Sequence, residues 1–270
     1  MTTIHPTAIV HPGANLGNNV QIGPYAVIED KVCIGDGTVM GPHVTICRFT
    51  TLGAACTIHA NAVLGDWPQD VAFKPEEESF LRIGSHCMIR EGVTMHRGTK
   101  PGTATEVGDH CFLMVNSHLG HNVKLGASVI IANGALLGGY VDVGDGVFIS
   151  GNCLVHQFTR IGKLAILAGG TAINKDVPPF CKTQGLSPNT VAGLNVIGLK
   201  RAGIGLEDRL AIKRAFAILY RSGLNVSQAV ERMKREYPSG LAQEFCVFIE
   251  ASKRGICRCR GVSEKNADDE

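Results

Sequence analysis

Residues 16–37 read LGNNVQIGPYAVIEDKVCIGDG, and an aliphatic residue falls at every sixth place: Leu16, Ile22, Ile28, Ile34. Followed outward, the beat runs from Ile4 and Val10 through Met40, Ile46, Leu52 and Ile58 to Leu64. It resumes at Ile83, Ile89 and Met95, and again from Val107 through Leu113, Leu119, Leu125, Ile131, Leu137, Val143, Ile149, Val155, Ile161 and Leu167 to Ile173. Four residues after each beat stands a small or β-branched residue, as at Ala8, Ala14, Val20, Ala26 and Val32. Glycine often follows the aliphatic, as in Leu16-Gly17 and Ile161-Gly162.

A period of six matches neither the 3.6 of a helix nor the 2.0 of an isolated amphipathic strand. It fits a flat-sided solenoid in which each hexad supplies one short strand and one tight turn. Three hexads close a triangular coil, the large aliphatic and the small residue point inward, and glycine or asparagine takes the turn conformations with positive φ. Successive coils then stack about 4.8 Å apart as parallel strands. The expected fold class is a β-solenoid, a parallel β-helix of hexapeptide repeats over residues 1–185, with loop insertions near 66–80 and 97–106 where the beat fails. In a solenoid such insertions become loops on one face, often the binding face.

Beyond Val177-Pro178-Pro179 the beat stops and helical patterns begin. Leu206 to Ser222 carries a broad apolar face, Asn225 or Ser227 is placed to cap Val226 to Tyr237, and a third helix is expected over Ser239 to Lys253. These make a small all-α domain, 186–258, that closes the C-terminal end of the solenoid; 259–270 reads as a solvated, disordered tail.

Composition excludes several classes. Apolar residues make up 44%, charged residues 19%, and the net charge of +2 is not that of a nucleic-acid binder. The start, MTTIHPTAIV, has no basic n-region or apolar h-region, and no run of about eighteen apolar residues exists to span a membrane. A reducing, cytoplasmic setting follows as the expectation. Of the ten cysteines, Cys56, Cys87, Cys111 and Cys153 fall where small inward residues belong and behave as small hydrophobes. Cys257 and Cys259 are too close together for an ordinary zinc half-site.

Stacking at eighteen turns sequence into geometry. His121, Gly139 and Gln157 fall in one column, and Gly120, Gly138 and His156 in the next. His118, His121 and His156 thus gather beside stacked glycines that leave a groove open, which favours a functional cluster over solvated surface histidines. A metal site is disfavoured: hexapeptide-repeat carbonic anhydrases hold zinc with three histidines, two of them five apart, whereas His118 and His121 are three apart.

Several motifs occur in order: Pro68-Gln69-Asp70, Met95-His96-Arg97-Gly98-Thr99, Asn116-Ser117-His118-Leu119-Gly120-His121, Val155-His156-Gln157-Phe158, Asp176-Val177-Pro178-Pro179 and Gly198-Leu199-Lys200-Arg201. Together they resemble the UDP-N-acetylglucosamine 3-O-acyltransferases that begin lipid A synthesis, over nearly the whole chain. The resemblance implies left-handed coiling, a cytoplasmic homotrimer with active sites between adjacent solenoids, and no cofactor or metal. The implied reaction moves a 3-hydroxyacyl chain from acyl carrier protein to the sugar 3-hydroxyl of a UDP-sugar. Carried over by position, His121 matches the general base, the Gly139 amide the oxyanion donor, and Asn122 the residue that orients the imidazole. Gln69, Asp70 and His118 would hold the sugar, with Lys74 near the phosphates and Tyr140 at a sugar contact. His156, Gln157, Asn195 and Arg201 would hold acyl or nucleotide groups, and Gly169 falls where acyl length is limited, glycine leaving room for a longer chain.

The chain departs from the pattern at several places. Asn122 stands for an aspartate, Tyr140 for a histidine, Ala72 for a lysine and Ile197 for a glutamate, and Leu186-Ser187-Pro188-Asn189 replaces a shorter loop. Most of these lie at the acceptor end. An acyltransferase for another UDP-sugar or amino-sugar is therefore the enzymatic alternative, and a non-catalytic nucleotide-sugar or carrier-protein binding module the alternative of another class. The N-acyltransferase of the same pathway carries an extra N-terminal domain, and a beat that begins at Ile4 argues against it.

Overall fold

A beat of six produces a two-residue strand every six residues. In the computed structural model, which describes residues 1–260, Gln21–Ile22, Val27–Ile28 and Cys33–Ile34 are such strands, followed by Val39–Met40, Thr45–Ile46 and Thr50–Leu52. Successive strands enter three sheets in rotation, so each residue meets the one eighteen further on in parallel pairing: Ile22 with Met40, Ile28 with Ile46, Ile34 with Leu52. The sheets hold twelve, nine and eight strands and are called here the first, second and third. All pairings are parallel except the last hairpin of the first sheet, Cys181–Thr183 against Thr190–Leu194.

The beat residue is the inward one of each strand. Leu113, Leu119, Ile131, Leu137, Ile149 and Leu167 are wholly buried, as are the small residues Val129, Ala135, Val147 and Cys153 between them. Each buried aliphatic contributes roughly 1.5–3 kcal/mol, so the core is a column with as many layers as there are circuits. At the corners one residue per hexad adopts the left-handed conformation, as at Asn116, Asn122 and Ser128. At three pairs of corners that residue is aromatic on successive circuits and the two rings stack: Tyr25 on His43 at 5.1 Å, His86 on His110 at 4.8 Å, Tyr140 on Phe158 at 4.9 Å. A stack of about 0.5–1.5 kcal/mol offsets much of the strain of a side chain at positive φ.

Both breaks in the beat are loops. Ile58 pairs with Ile89, thirty-one residues on, and Ile89 with Leu113, twenty-four on, so thirteen and six residues are inserted in those circuits. The larger insertion is gathered around Arg97. This side chain is fully buried, lies 5.1 Å from the Phe49 ring and 5.2 Å from that of Phe73, and donates to the carbonyls of Pro75 and Ser79.

The C-terminal helices are α1 (Val196–Arg201), α2 (Leu206–Arg221), α3 (Val226–Glu236) and α4 (Glu244–Glu250). Asn225 is the α3 cap and forms a capping box with Gln228. The expected third helix is shorter than its pattern: Pro238 and Gly240, with φ at 81°, delay its start, and a single 3₁₀ turn, Leu241–Gln243, precedes α4. These helices cover the solenoid end through Phe245 against Phe180 at 5.7 Å and Phe248 under the Arg160 guanidinium at 4.4 Å. The segment 186–258 is not wholly helical. Thr190–Leu194 adds to the first sheet and Arg258–Cys259 returns to pair with it. The expected tail therefore starts too early: Cys259 is a buried strand residue, and 261–270 lie outside the described residues. Cys257 is buried as well, its thiol directed at the Lys175 carbonyl and its pKa pushed up to about 12 mainly by burial. No helix among the described residues is long and apolar enough to cross a membrane.

Candidate active site

His121 stands at the corner that follows the strand His118–Leu119, and Gly139 at the same corner one circuit later. Backbone bonds fix the stacking: Gly120 N–H donates to Leu137 O, Tyr140 N–H to His121 O, Gly138 N–H to Val155 O and Phe158 N–H to Gly139 O, all at 2.8–3.0 Å. The two columns read from the sequence are therefore real: His121, Gly139, Gln157 and, beside it, Gly120, Gly138, His156. The imidazole of His121 lies directly over Gly139, where a Cβ would sit 2.4 Å from Cε1 and 2.5 Å from Nε2. Only glycine fits under that ring. The Gly139 N–H has no acceptor among the described residues.

The other edge of His121 is held. Its Nδ1 is 3.2 Å from Asn122 Oδ1, and its ring meets Tyr140 edge-on at 5.3 Å. Asn122 is buried at a left-handed corner, φ 59°, and its N–H donates to Thr105 Oγ1 at 2.7 Å. The same Oδ1 accepts from the Thr99 N–H and the Thr99 hydroxyl, each at 3.0 Å, and Thr99 Oγ1 is 3.0 Å from the Tyr140 hydroxyl. Tyr140, expected at a sugar contact, thus has its hydroxyl engaged inside the protein.

His118 projects from the second sheet, with Nδ1 2.8 Å from Thr94 Oγ1 and its ring edge-on to His96 at 5.3 Å. Burial, aided by His96, pushes its pKa down to about 4. A histidine neutral at physiological pH serves as a hydrogen-bonding group and is too weak a base to drive proton removal. His96 is itself buried and donates from Nδ1 to the Trp67 carbonyl, which ties the thirteen-residue insertion to the sheet beside His118. Gln69, Asp70 and Lys74 ride on that insertion. Gln69 and Lys74 are exposed, and Asp70 accepts from the Ala72 N–H at 2.9 Å. None of the three bonds to His121 within this chain.

His156 and Gln157 are exposed, and His156 donates from Nδ1 to the Gln157 carbonyl at 3.0 Å, which leaves Nε2 outward. His118, Gly138 and His156 rim a groove of about 420 Å³ floored by Leu136, Leu154 and Ala172. That floor is apolar and elongated along the second sheet, as an acyl chain requires; His121 and Gly139 sit just past its Gly138 edge. Gly169 is exposed, and a Cβ there would meet only the Gly151 carbonyl at 3.7 Å, so the position has room to spare. Asn195 is committed to structure: its Oδ1 caps α1 at the Gly198 N–H and its Nδ2 donates to Leu164 O. Arg201 is exposed in the last turn of α1.

Residue-by-residue reasoning missed Thr94, Thr99 and Thr105, which hold His118, Asn122 and the Asn122 backbone. Thr94 was within reach, because it precedes the beat residue Met95 by one and so shares an outward face with His118. Thr99 was not, because it lies in the second insertion, where the six-residue spacing no longer assigns a face.

Residues 13–48 and 104–139 match the bacterial transferase hexapeptide (six repeats), and residues 176–257 match domain 2 of UDP N-acetylglucosamine O-acyltransferase. The chain is 44% identical over 257 residues to the acyl-[acyl-carrier-protein]–UDP-N-acetylglucosamine O-acyltransferase of Syntrophobacter fumaroxidans, covering 94% of this chain and 99% of that protein. It is 43% identical over 260 residues to the protein of that name from Thermodesulfovibrio yellowstonii, covering 96% and 100%. Among solved structures, a UDP-N-acetylglucosamine acyltransferase from Bacteroides fragilis superposes with a TM-score of 0.89 at 38% identity, covering 94% of this chain and all of that one.

Proposed function

The chain belongs to the acyl-[acyl-carrier-protein]–UDP-N-acetylglucosamine O-acyltransferase family, and from that premise we propose how its parts carry the reaction. It is an acyltransferase that takes its acyl group from acyl carrier protein and passes it to UDP-N-acetylglucosamine, a 3-hydroxyacyl chain reaching the sugar 3-hydroxyl in the opening step of lipid A synthesis. One observation carries the mechanism: an imidazole held at Nδ1 and laid over a glycine whose N–H is free.

A sugar hydroxyl is a poor nucleophile near neutral pH. His121 Nε2 takes its proton as the oxygen attacks the thioester carbon, a contribution of about 10²–10⁴-fold for a well-placed base. The carbonyl oxygen becomes an oxyanion and accepts from the Gly139 N–H, a donor worth roughly 3 kcal/mol in a preorganised site. The intermediate collapses by breaking the carbon–sulfur bond, and the imidazolium returns the proton to the departing thiolate. Ester and free carrier thiol result, and His121 ends as it began. Gln69, Asp70 and the neutral His118 hold the sugar, Lys74 and Arg201 the phosphates, and His156 and Gln157 the acyl arm. The apolar floor beyond Gly138 takes the chain, and the open space at Gly169 suits a long one.

We further propose a left-handed coil and a homotrimer. The outward residues of the three sheets support the trimer. Those of the first sheet form an in-register apolar row, Met88, Phe112, Ile130, Phe148 and Ile166. The second carries Thr94, His118, Leu136, Leu154 and Ala172. The third begins with the uncharged Asn15, Cys33 and Thr51 and is charged over its last five strands, Arg82, Glu106, Lys124, Asp142 and Arg160. Two apolar faces and one charged face are what a closed ring of three prisms needs. The substrate loop bearing Asp70 then works against the His121 of a neighbouring copy, in the cytoplasm where acyl carrier protein is found. The test is a panel of acyl carrier protein thioesters and UDP-sugars with products read by mass spectrometry. Acylated UDP-N-acetylglucosamine is the expected product, absent with His121→Ala; product only with another sugar overturns the acceptor, and turnover by His121→Ala overturns the base.

A further inference from the structure

The bonds around Asn122 have a direction that can be worked out donor by donor. A backbone N–H only donates, so the side-chain atom 3.0 Å from the Thr99 nitrogen is the amide oxygen, and the amide cannot be flipped. An amide oxygen only accepts, so His121 Nδ1, at 3.2 Å from it, carries a proton. The Thr99 hydroxyl has one hydrogen and spends it on the same oxygen. The Tyr140 hydroxyl, 3.0 Å from Thr99 Oγ1, must therefore donate to it. Every bond in the chain points one way, from Tyr140 through Thr99 to Asn122, with His121 arriving from the other side.

We propose that Tyr140, Thr99 and Asn122 are positioning residues, forming a relay that locks His121 as its Nδ1–H tautomer with Nε2 bare above Gly139. This deepens the general-base reading and rests on it. Three donors converge on one amide oxygen, a demand that a carboxylate with more lone pairs would satisfy more easily, yet the residue is neutral. The imidazolium formed during the reaction faces an amide dipole and, across its edge, the Tyr140 phenol. No carboxylate, ammonium or guanidinium group pairs with it among the described residues. The site therefore gains the orientation that a carboxylate gives without its charge. Tyr140 also cannot act on the sugar through a freely turning hydroxyl, because that hydroxyl is the relay's first donor.

The test combines kinetics with a direct view of the proton. Isotope-labelled histidine nitrogen spectra, with the His121 signal identified by its loss in His121→Gln, should show protonated Nδ1 and bare Nε2. The opposite tautomer overturns the relay whether or not His121 is the base, whereas turnover by His121→Gln overturns the base alone. Asn122→Asp keeps the acceptor and adds the charge. Its acid limb in the pH profile of kcat/KM should move up by at least about one pH unit, and an unmoved limb overturns the role of the neutral amide. Tyr140→Phe removes the first donor and should lower kcat about tenfold with the KM for the UDP-sugar unchanged. A raised KM at full kcat would make Tyr140 a substrate contact and sink its place in the relay. Thr99→Ser, which keeps both donors, should restore what Thr99→Ala loses.

Discussion

His121 and Gly139 are eighteen residues apart in sequence and in van der Waals contact in the fold, so the glycine is needed for the space it leaves. A methyl at 139 would have to push the imidazole off Asn122 or tilt the backbone whose N–H faces the oxyanion. Gly139→Ala should lower kcat by about 10²-fold or more while the trimer melts as the native protein does; kcat within a few-fold of wild type would mean that the ring does not work from where it lies. His118 gives a pH prediction. Its pKa, near 6.5 in the unfolded chain and about 4 in the fold, means that the unfolded state binds more protons between those values. Stability should thus be unaffected by His118 above pH 6.5 and fall as pH drops toward 4. His118→Gln should flatten that part of a melting-temperature profile, and an equally steep fall in the variant would assign the loss to other groups. Thiols add a third test, since Cys33 is exposed and the other nine cysteines are buried. Native protein should titrate one thiol per chain rapidly with an aromatic disulfide reagent and all ten after unfolding. At this scale the column of His121 and Gly139 was legible because each stands two residues past a beat residue, Leu119 and Leu137, and the Thr99 contact was not, because a residue in an insertion has no phase.

Among the elements, two-residue strands have almost no stability of their own, and they persist because each is bonded to equivalents above and below. Period alone therefore predicted nearly every strand, the pairing and the inward face. It failed where tertiary contacts outweigh local pattern. Thr190–Leu194 carries no beat and becomes a strand because the last circuit offers it an edge, and the short α1 forms because Asn195 caps it while anchored to Leu164 O. The capping of α3 follows its sequence signal, a reciprocal Asn225–Gln228 box. Asn225→Ala should cost about 1 kcal/mol in denaturant unfolding, and Asn225→Ser much less; equal losses would place the effect elsewhere than in the cap.

The whole molecule is a triangular prism with unlike faces, and the difference lies in the residue before each beat. The proposed ring of three would bury the apolar rows of the first and second sheets and leave the charged row of the third in water. Phe148→Glu, at the middle of the first row and half-buried in the single chain, should yield a monomer by sedimentation and lose acyl transfer with it. A fully active monomer would show that one chain holds a complete site. Asp142→Ala on the charged face should leave both assembly and turnover as they are.

That charged face has a consequence of its own. Its outward residues alternate in sign along the pairing order, Arg82, Glu106, Lys124, Asp142, Arg160, with Glu106 bridging to Arg82 at 3.6 Å and to Lys124 at 3.4 Å. Exposed pairs of this kind add little stability, typically under about 1 kcal/mol each. Their alternation instead distinguishes the native count of rungs from one shifted by a rung. A folding chain made of near-identical rungs can dock a strand one rung too far, and its apolar core would scarcely register the mistake. On this face the error puts Arg82 against Lys124 and Glu106 against Asp142, like sign on like, so the wrong count carries a small repulsive cost that the right one does not, even where the hydrophobic pattern reads the same.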